Sequence, residues 1–313
     1  MWYAYVGQSD TNHAGSSGNP SQVARILGDG STQSSLYEYN SIGKLTKATD
    51  PRLRVTTYRY DTNNIDLLTA YQENPAGAST DPFGALADIV ASYTYNSLHE
   101  PLTSTDAAGQ PTTFTYNTYG QILTRENAKH EITTYSYGDG TTAHPIGYLT
   151  SITSPPFNSA SVVTSFTYDS ANRVRTVTNE ADAYTVTTDY DNLDRPTLMT
   201  YPDATTTQLK YTKYVNGVDT QVMMLDLGAS KDRRGLWTYR EYDANRHLTK
   251  ITDPQNRTTT FGWCSCGQLA TISDPSTPPE ITTFNRDLQG RVYQKVFNDS
   301  KSITYLYDGQ TAT

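Results

Sequence analysis

A short motif recurs along most of this chain at intervals of about 21 residues. The motif is an aromatic residue, one variable residue, a tyrosine, and then an aspartate or asparagine, as in Tyr37–Asn40 and Phe166–Asp169. The second aromatic position of successive copies is residue 39, 60, 95, 116, 137, 168, 190, 211, 242, 263, 286 and 307, so the intervals are 21, 35, 21, 21, 31, 22, 21, 31, 21, 23 and 21 residues. This regularity predicts a fold that stacks copies of one small unit.

Each repeat contains two turn signals. Asn117 is followed three positions later by Gly120, a spacing that suits a type I turn. The stretch Asp253–Asn256 suits a second turn, because Pro254 presets the backbone angle φ for the second turn position. Two turns per repeat leave two segments of about six residues, which is a common strand length.

The residues between the turns alternate as strands do. Thr112, Phe114 and Tyr116 lie on one face of such a strand. In the other segment Leu248 and Ile251 are three residues apart, and either a bulge or a sheet covered on both faces would explain this spacing. The predicted fold class is all-β: tandem repeats of about 21 residues, each of two short antiparallel strands, which form a long β-hairpin ribbon.

Composition agrees with this class and excludes several others. Hydrophobic residues are only 35 %, which is low for a globular core, but 25 tyrosines and 18 % charged residues do not fit a disordered chain either. The net charge is −8 and no basic block occurs, so we expect no nucleic-acid partner. No apolar run approaches the ~18–20 residues that a membrane helix needs, and no signal peptide is visible.

The repeats resemble those of the Rhs/YD-repeat family, which includes bacterial polymorphic toxins, the C components of insecticidal toxin complexes, and the teneurins. The clearest matches are Tyr168–Val174 and Tyr242–Pro254, and the resemblance covers about residues 37–309. It implies that the ribbon spirals into a partial hollow shell. In bacterial members the shell encloses a C-terminal toxin domain, and in teneurins it is a rigid extracellular scaffold. It also implies that the protein is secreted or displayed on the cell surface.

We expect two regions in the chain. Residues 1–30 are predicted to be a poorly ordered leader or the tail of an earlier repeat. Residues 31–313 form the repeat ribbon, with insertions near 72–91, 138–147 and 212–236. Because the last repeat is interrupted, we expect the chain to be a fragment truncated at its C-terminus.

Two of the insertions carry local signals. Residues 84–91, with the sequence Gly-Ala-Leu-Ala-Asp-Ile-Val-Ala, favour two helical turns. In the third insertion Val222–Leu225 is typical of a strand, and Asp232–Gly235 is typical of another turn.

The two cysteines form the motif Cys264-Ser265-Cys266. A zinc site needs four ligands at recognisable spacing, and only two thiols are present. Because Cys264 aligns with the aspartate of the repeat, we expect two ordinary turn residues and no structural metal, with metal or redox chemistry as the minor alternative.

Other candidate side chains are explained by the repeat. The recurring Asp and Asn residues are predicted to shape turns, and no phosphate-binding loop, serine-hydrolase or zinc-protease motif occurs. We therefore expect neither an enzyme nor a cofactor. The histidines occupy turns or insertions and are predicted to be solvated loop residues: His13, His99, His130, His144 and His247.

The leading hypothesis is a non-catalytic scaffold, part of the shell of an Rhs-type toxin, with an enclosed toxin domain as its partner. The alternative is an adhesin or carbohydrate-binding module that binds cell-surface glycans, because tyrosine offers an apolar face and a polar tip to a sugar. Under the first hypothesis the motif aromatics are structural: Tyr39, Tyr60, Tyr95, Tyr116, Tyr137, Tyr168, Tyr190, Tyr242, Trp263 and Tyr307.

Overall fold

In the computed structural model, the regular secondary structure of the described residues consists of β-strands only. The structure describes residues 1–10, 12–27, 30–73, 79–80, 86–140, 144–158 and 160–307. The strands up to residue 153 are β1 (Trp2–Tyr5), β2 (Pro20–Ile26), β3 (Thr32–Tyr39), β4 (Leu45–Thr49), β5 (Val55–Tyr60), β6 (Leu67–Glu73), β7 (Ser79–Thr80), β8 (Leu86–Tyr95), β9 (Pro101–Asp106), β10 (Pro111–Tyr116), β11 (Ile122–Glu126), β12 (Ile132–Tyr137) and β13 (Leu149–Thr153).

The later strands continue the same pattern of short segments. They are β14 (Val163–Tyr168), β15 (Val174–Asn179), β16 (Tyr184–Tyr190), β17 (Pro196–Thr200), β18 (Thr206–Lys210), β19 (Thr212–Val215), β20 (Val218–Met223), β21 (Ala229–Lys231), β22 (Trp237–Tyr242), β23 (Leu248–Thr252), β24 (Thr258–Trp263), β25 (Leu269–Ser273), β26 (Ile281–Arg286), β27 (Val292–Val296) and β28 (Ser302–Thr304).

Internal contacts divide the chain into two units. The N-terminal unit comprises Met1–Ser136 and Ile152–Ser161, and the C-terminal unit comprises Tyr137–Ser151 and Val162–Tyr307. In the first, β1 to β6 pair in chain order, β6 pairs with β8, and pairing continues in order to β12.

In the C-terminal unit, β14 to β18 pair in chain order, β18 pairs with β21, and β21 to β28 continue the order. Every one of these pairs is antiparallel. The predicted all-β ribbon of tandem hairpins is therefore confirmed.

An extra residue interrupts the pairing beside the motif aromatic. Tyr242 pairs with Leu248, whereas Arg240, two residues earlier, pairs with Ile251. Thr249 is thus a β-bulge, which places both apolar residues on the face of Tyr242. The bulge decides between the two explanations that the spacing of Leu248 and Ile251 left open. The same shift occurs beside Tyr39, Tyr60, Tyr95, Tyr116, Tyr168, Tyr190, Trp263 and Arg286.

The predicted turns are present and share one hydrogen-bond pattern. The Gly120 N–H donates to the Asn117 carbonyl at 3.2 Å, and the Asn117 N–H donates to the Gln121 carbonyl at 2.9 Å. In the proline-containing turn the Asn256 N–H donates to the Asp253 carbonyl at 3.0 Å. The residue at the fourth turn position has a positive φ, +79° at Gly120 and +62° at Asn256. This is a type I turn followed by a left-handed residue, a common hairpin loop.

Strands occur within the first thirty residues as well. Strand β2 pairs with β3, where Gln22 faces Leu36 and Ile26 faces Thr32. The Tyr39 hydroxyl of β3 also donates to the Pro20 carbonyl of β2 at 3.0 Å. These two strands therefore contact each other as later hairpins do.

The prediction of two helical turns over residues 84–91 is wrong for residues 86–91, the part of this segment that the structure describes. Residues 84 and 85 lie outside the described residues, and from Leu86 onward the chain is strand β8. Here Ala91 pairs with Ala70 of β6. Helix propensity is a weak preference, and two isolated helical turns are unstable. These residues are therefore more stable as a strand paired with β6 than as a short helix.

The third insertion agrees only in part with the sequence prediction. Strand β20 (Val218–Met223) pairs with β19 to form a separate two-stranded hairpin. The strand predicted over Val222–Leu225 is therefore right for Val222 and Met223 and wrong for Met224 and Leu225, which follow the end of β20. The predicted turn is present too, since the Gly235 N–H donates to the Asp232 carbonyl at 2.9 Å. In the insertion near 138–147, residues 141–143 lie outside the described residues.

Few side chains in the described part of the chain are buried. Most strand residues are half-buried. Each hairpin must therefore be stabilised mainly by its neighbours in the ribbon. The residues there with buried side chains are Thr57, Asp66, Ala70, Ala87, Tyr214 and Ala229, and Gly228 is buried as well.

The turn geometry predicts opposite effects for two substitutions in the N-terminal unit. Leu53 has φ +63° and an 80 % exposed side chain, and Gly109 has φ +75° with open space around it. A left-handed residue with a Cβ costs ~1–2 kcal/mol, partly offset by the greater freedom of glycine in the unfolded chain. We expect Leu53→Gly to raise the free energy of unfolding by about 0.5–1 kcal/mol and Gly109→Leu to lower it by a similar amount.

Urea titrations of both variants and the parent chain measure these changes. Equal signs for the two substitutions would contradict the proposed turn geometry.

Candidate functional site

The motif tyrosines direct their hydroxyl groups to the backbone of the preceding hairpin. Tyr168 donates to the Leu149 carbonyl at 2.7 Å, and Tyr190 donates to the Val174 carbonyl at 2.7 Å. We name this hydrogen bond the tyrosine clip. It also joins Tyr39 to Pro20, Tyr116 to Pro101, Tyr242 to Leu227 and Tyr307 to Val292, while Trp263 Nε1 and Arg286 Nη2 make the same contact with Leu248 and Leu269.

The acceptor of a clip has a defined place in the repeat. Val174, which accepts from Tyr190, is the residue that pairs with Tyr168 at the bulge. Likewise Leu248, which accepts from Trp263, pairs with Tyr242. The acceptors of Tyr116, Arg286 and Tyr307 follow the same rule, so these clips connect one motif residue to the strand partner of the previous one and align consecutive repeats.

Three further predicted motif residues lie at related positions. Tyr60 and Tyr95 sit beside a bulge at the ends of β5 and β8. Tyr137 ends β12. All three rings are half-buried, as are those of the other motif aromatics.

Burial favours the neutral form of several motif tyrosines. It raises the pKa of Tyr168 and of Tyr242 above the ordinary tyrosine value. A phenol that stays neutral through the physiological range remains a donor, which the carbonyl acceptor requires. The pKa is raised by burial in the same way at Tyr39, Tyr60, Tyr95 and Tyr116.

An aspartate or asparagine at the first position of most turns caps its own turn. Asp169 Oδ1 accepts from the backbone N–H of Ala171 at 2.9 Å and of Arg173 at 3.0 Å. These bonds satisfy N–H groups that the turn leaves without a strand partner. The turn chemistry predicted for these residues accounts for their positions. The same pair of bonds is accepted by Asn40, Asp50, Asn96, Asp106, Asn117, Asn127, Asp191, Asp232, Asp243, Asp253 and Asp287.

A role for the residue four positions after the cap was missed at the sequence level. Arg173 binds Asp169 through Nε at 2.8 Å, and its guanidinium lies 4.8 Å from the ring centroid of Tyr190 in the next repeat. Arg195 stacks in the same way on Tyr211 at 3.9 Å. These cation–π contacts link two turns to the motif aromatics that follow them. The available signal was the recurrence of arginine directly after the residue of positive φ, as after Asn172 and Asp194.

The cysteines depart from their predicted role as ordinary turn residues. Cys264 and Cys266 are joined as a disulfide, with their Cα atoms 5.1 Å apart. That separation lies within the range that a disulfide spans, because a tight turn brings positions i and i+2 together. In the part of the chain that the structure describes, no group of three or more His, Cys, Asp or Glu residues is arranged to hold a metal ion.

The histidines lie in turns and loops, and no two of them are brought together. In four of them Nδ1 lies within hydrogen-bond distance of a carboxylate oxygen. In the fifth, His144, the backbone carbonyl accepts from the Gly140 N–H at 3.0 Å. The four pairs are His13–Asp10, His99–Asp66, His130–Glu126 and His247–Asp243.

A cavity of about 300 Å³ lies beside the β19–β20 hairpin. Tyr242, Met224 and Leu225 line it, together with Arg246 and Asp226, whose side chains form two hydrogen bonds of 2.8 Å. The cavity thus combines an aromatic ring, apolar side chains and a charged pair, a mixture that suits a small polar ligand.

Comparison with known proteins gives matches among solved structures only. No family model matches the sequence, and no curated protein does. The chain is similar over 92 % of its length to the TcdB2–TccC3 complex with Cdc42 (12 % identity, TM-score 0.39) and to TcdB2–TccC3 without its hypervariable C-terminal region (12 % identity, TM-score 0.38).

A further match is the Tc holotoxin pore of Photorhabdus luminescens, which is similar over 92 % of the present chain at 11 % identity, with a TM-score of 0.30. The chain spans 21 %, 20 % and 21 % of the length of these three chains.

Among the described residues, no helix has the length and apolar character needed to cross a membrane.

The clip predicts a measurable cost for removing one hydroxyl. We expect Tyr168→Phe to lower the free energy of unfolding by ~1 kcal/mol, because the Leu149 carbonyl loses its donor while the ring is kept. The control is Tyr119→Phe, whose ring is 84 % exposed and which should change stability by less than ~0.5 kcal/mol. Denaturant titration measures both, and equal effects would contradict the clip.

The caps predict loss of stability in acid. The backbone N–H of Arg54 lowers the pKa of Asp50, and that of Arg173 lowers the pKa of Asp169. Because the folded pKa lies below the unfolded value of ~3.9, these carboxylates stabilise the fold above that pH and lose their contribution as pH falls through the folded pKa.

Asparagine caps other turns without titrating, so the variant Asp50→Asn/Asp169→Asn is a matched control. Its melting temperature should fall less steeply below about pH 4 than that of the parent chain. Scanning calorimetry measures both melting temperatures. If they fall equally steeply with decreasing pH, ionisation of the caps does not contribute to the acid sensitivity of the fold.

Proposed function

We propose that this protein is a non-catalytic repeat scaffold, part of the encapsulating shell of a secreted or surface-displayed bacterial Rhs-type toxin. The observation that carries the proposal is the use of the motif side chains. The Tyr168 hydroxyl is bound to a backbone carbonyl, and the Asp169 carboxylate is bound to backbone N–H groups and to Arg173. Groups held in this way are not available to bind or activate a substrate, so the repeated chemistry serves the ribbon itself.

Two further points support the shell and its location. The repeat residues resemble the Rhs/YD-repeat family, whose bacterial members enclose a toxin domain, and such a domain is the partner we propose. The Cys264–Cys266 disulfide also favours secretion, because disulfides persist mainly in oxidising compartments.

Deletion of whole and partial repeats tests the scaffold. If each hairpin depends on its neighbours alone, removal of residues 243–263, one full repeat, should leave the remaining ribbon folded. Removal of 253–263, one strand and its turn, reverses the direction of every later strand and should unfold the C-terminal unit. Far-UV circular dichroism and melting temperature measure both, and equal damage from the two deletions would contradict a modular scaffold.

Enclosure is tested with a protease-labile reporter domain tethered after Thr313. The full chain should slow digestion of the reporter compared with the same reporter on the 253–263 deletion. Digestion at equal rates would count against a shell and leave the scaffold result unaffected.

The cavity beside β19–β20 favours a second candidate function, glycan binding. Its charged pair, Asp226 and Arg246, and the ring of Tyr242 are the groups that would contact a sugar. A glycan array with the parent chain and Arg246→Ala tests this, and binding that the substitution abolishes would favour the adhesin over the shell.

A further inference from the structure

The turn that carries the two cysteines has the same backbone as the capped turns. The Gly267 N–H donates to the Cys264 carbonyl at 3.0 Å, and the Cys264 N–H donates to the Gln268 carbonyl at 2.9 Å. Gly267 has the expected positive φ of +76°. The turn therefore forms from its own backbone bonds and does not need the disulfide to bring the cysteines together.

At this turn a sulfur atom takes the place of the capping carboxylate. In the preceding repeat, Asp243 Oδ1 accepts from the backbone N–H of His247 at 2.9 Å. The equivalent donor here, the Gln268 N–H, is directed at Cys264 Sγ at 3.3 Å. A site that holds a carboxylate or amide oxygen in the other capped turns thus holds a disulfide sulfur in this one.

The two cysteines differ in exposure. Cys266 is exposed at the tip of the turn, whereas Cys264 is half-buried. Beside them Trp263 donates Nε1 to the Leu248 carbonyl at 2.8 Å and stacks on His247 with ring centroids 4.6 Å apart. These contacts anchor one end of the turn, while Cys266 stays open to a solvent-borne reactant.

We propose that Cys264 and Cys266 form a reversible thiol–disulfide exchange site whose substrates are low-molecular-weight thiols and their disulfides. In the forward step an external thiolate attacks Cys266 Sγ, the bond between the two cysteine sulfurs breaks, and Cys264 leaves as a thiolate. A second external thiolate then attacks the external sulfur of the mixed disulfide. This releases the external disulfide and Cys266 as a thiolate, so two electrons pass from two external thiols to the protein pair.

The geometry assigns distinct roles to the two sulfurs. Exchange is favoured by an accessible sulfur and by a leaving thiol of low pKa. Cys266 provides the first through its exposure. Cys264 provides the second, because a hydrogen bond from the Gln268 N–H stabilises the thiolate that leaves.

The first test follows thiols in the folded chain. The protein is incubated with mixtures of reduced and oxidised glutathione, and its free thiols are then trapped with an alkylating reagent. The mass of the intact protein is measured by mass spectrometry. We expect two thiols to appear together as reduced glutathione increases, a transient adduct of one glutathione, and unchanged circular dichroism. Reduction that occurs only in denaturant would identify a purely structural disulfide and overturn the proposal.

The second test compares single-cysteine variants. The pH dependence of alkylation should give Cys264 in Cys266→Ser a pKa at least about one unit below that of Cys266 in Cys264→Ser, which is about tenfold more thiolate at neutral pH. Equal values, or a lower value for Cys266, would overturn the assigned roles. Cys264→Asp restores the usual cap and serves as the folding control, because it should match the parent melting temperature within a few degrees.

Discussion

The hydrogen bond from a motif tyrosine to a backbone carbonyl one hairpin earlier is the contact on which the rest of the ribbon depends. Strand pairing alone holds neighbouring strands together but does little to specify which residues face each other, since a shift of register preserves many backbone bonds. The clip removes that freedom. Tyr190 reaches the carbonyl of Val174, the strand partner of Tyr168, so each repeat is aligned by the one before it.

The other recurring features of the repeat fit this alignment. The bulge beside the aromatic turns the ring toward the preceding hairpin, and the capped turn holds the chain at the point where the bulge begins. The arginine after the turn then covers the next ring, as Arg173 covers Tyr190. Because these contacts are polar or half-buried, the ribbon can form with a hydrophobic content of 35 % and few buried side chains among its described residues.

Sequence patterns predicted the elements whose causes are local. The alternation of Thr112, Phe114 and Tyr116 defined a strand, and the spacing of Asn117 and Gly120 defined a turn, because both depend on residues only a few positions apart. The helical turns expected over 84–91 were wrong for the described residues from Leu86 onward, since pairing with a distant strand overrode a weak local preference. The Cys264–Cys266 bond was missed because its sequence spacing alone did not establish that the two sulfurs would be paired.

The sequence by itself determined the repeat length, the all-β class and the positions of most turns. These properties depend on turn residues and alternating strand residues that recur every 21 positions. Only the tertiary structure decided what the repeated side chains do. Whether a tyrosine binds a sugar or a carbonyl depends on which backbone atoms lie within about 3 Å of its hydroxyl, and residues 15 to 19 positions away supply those atoms. The same holds for Cys264, since the turn N–H directed at its sulfur is placed by the folded hairpin.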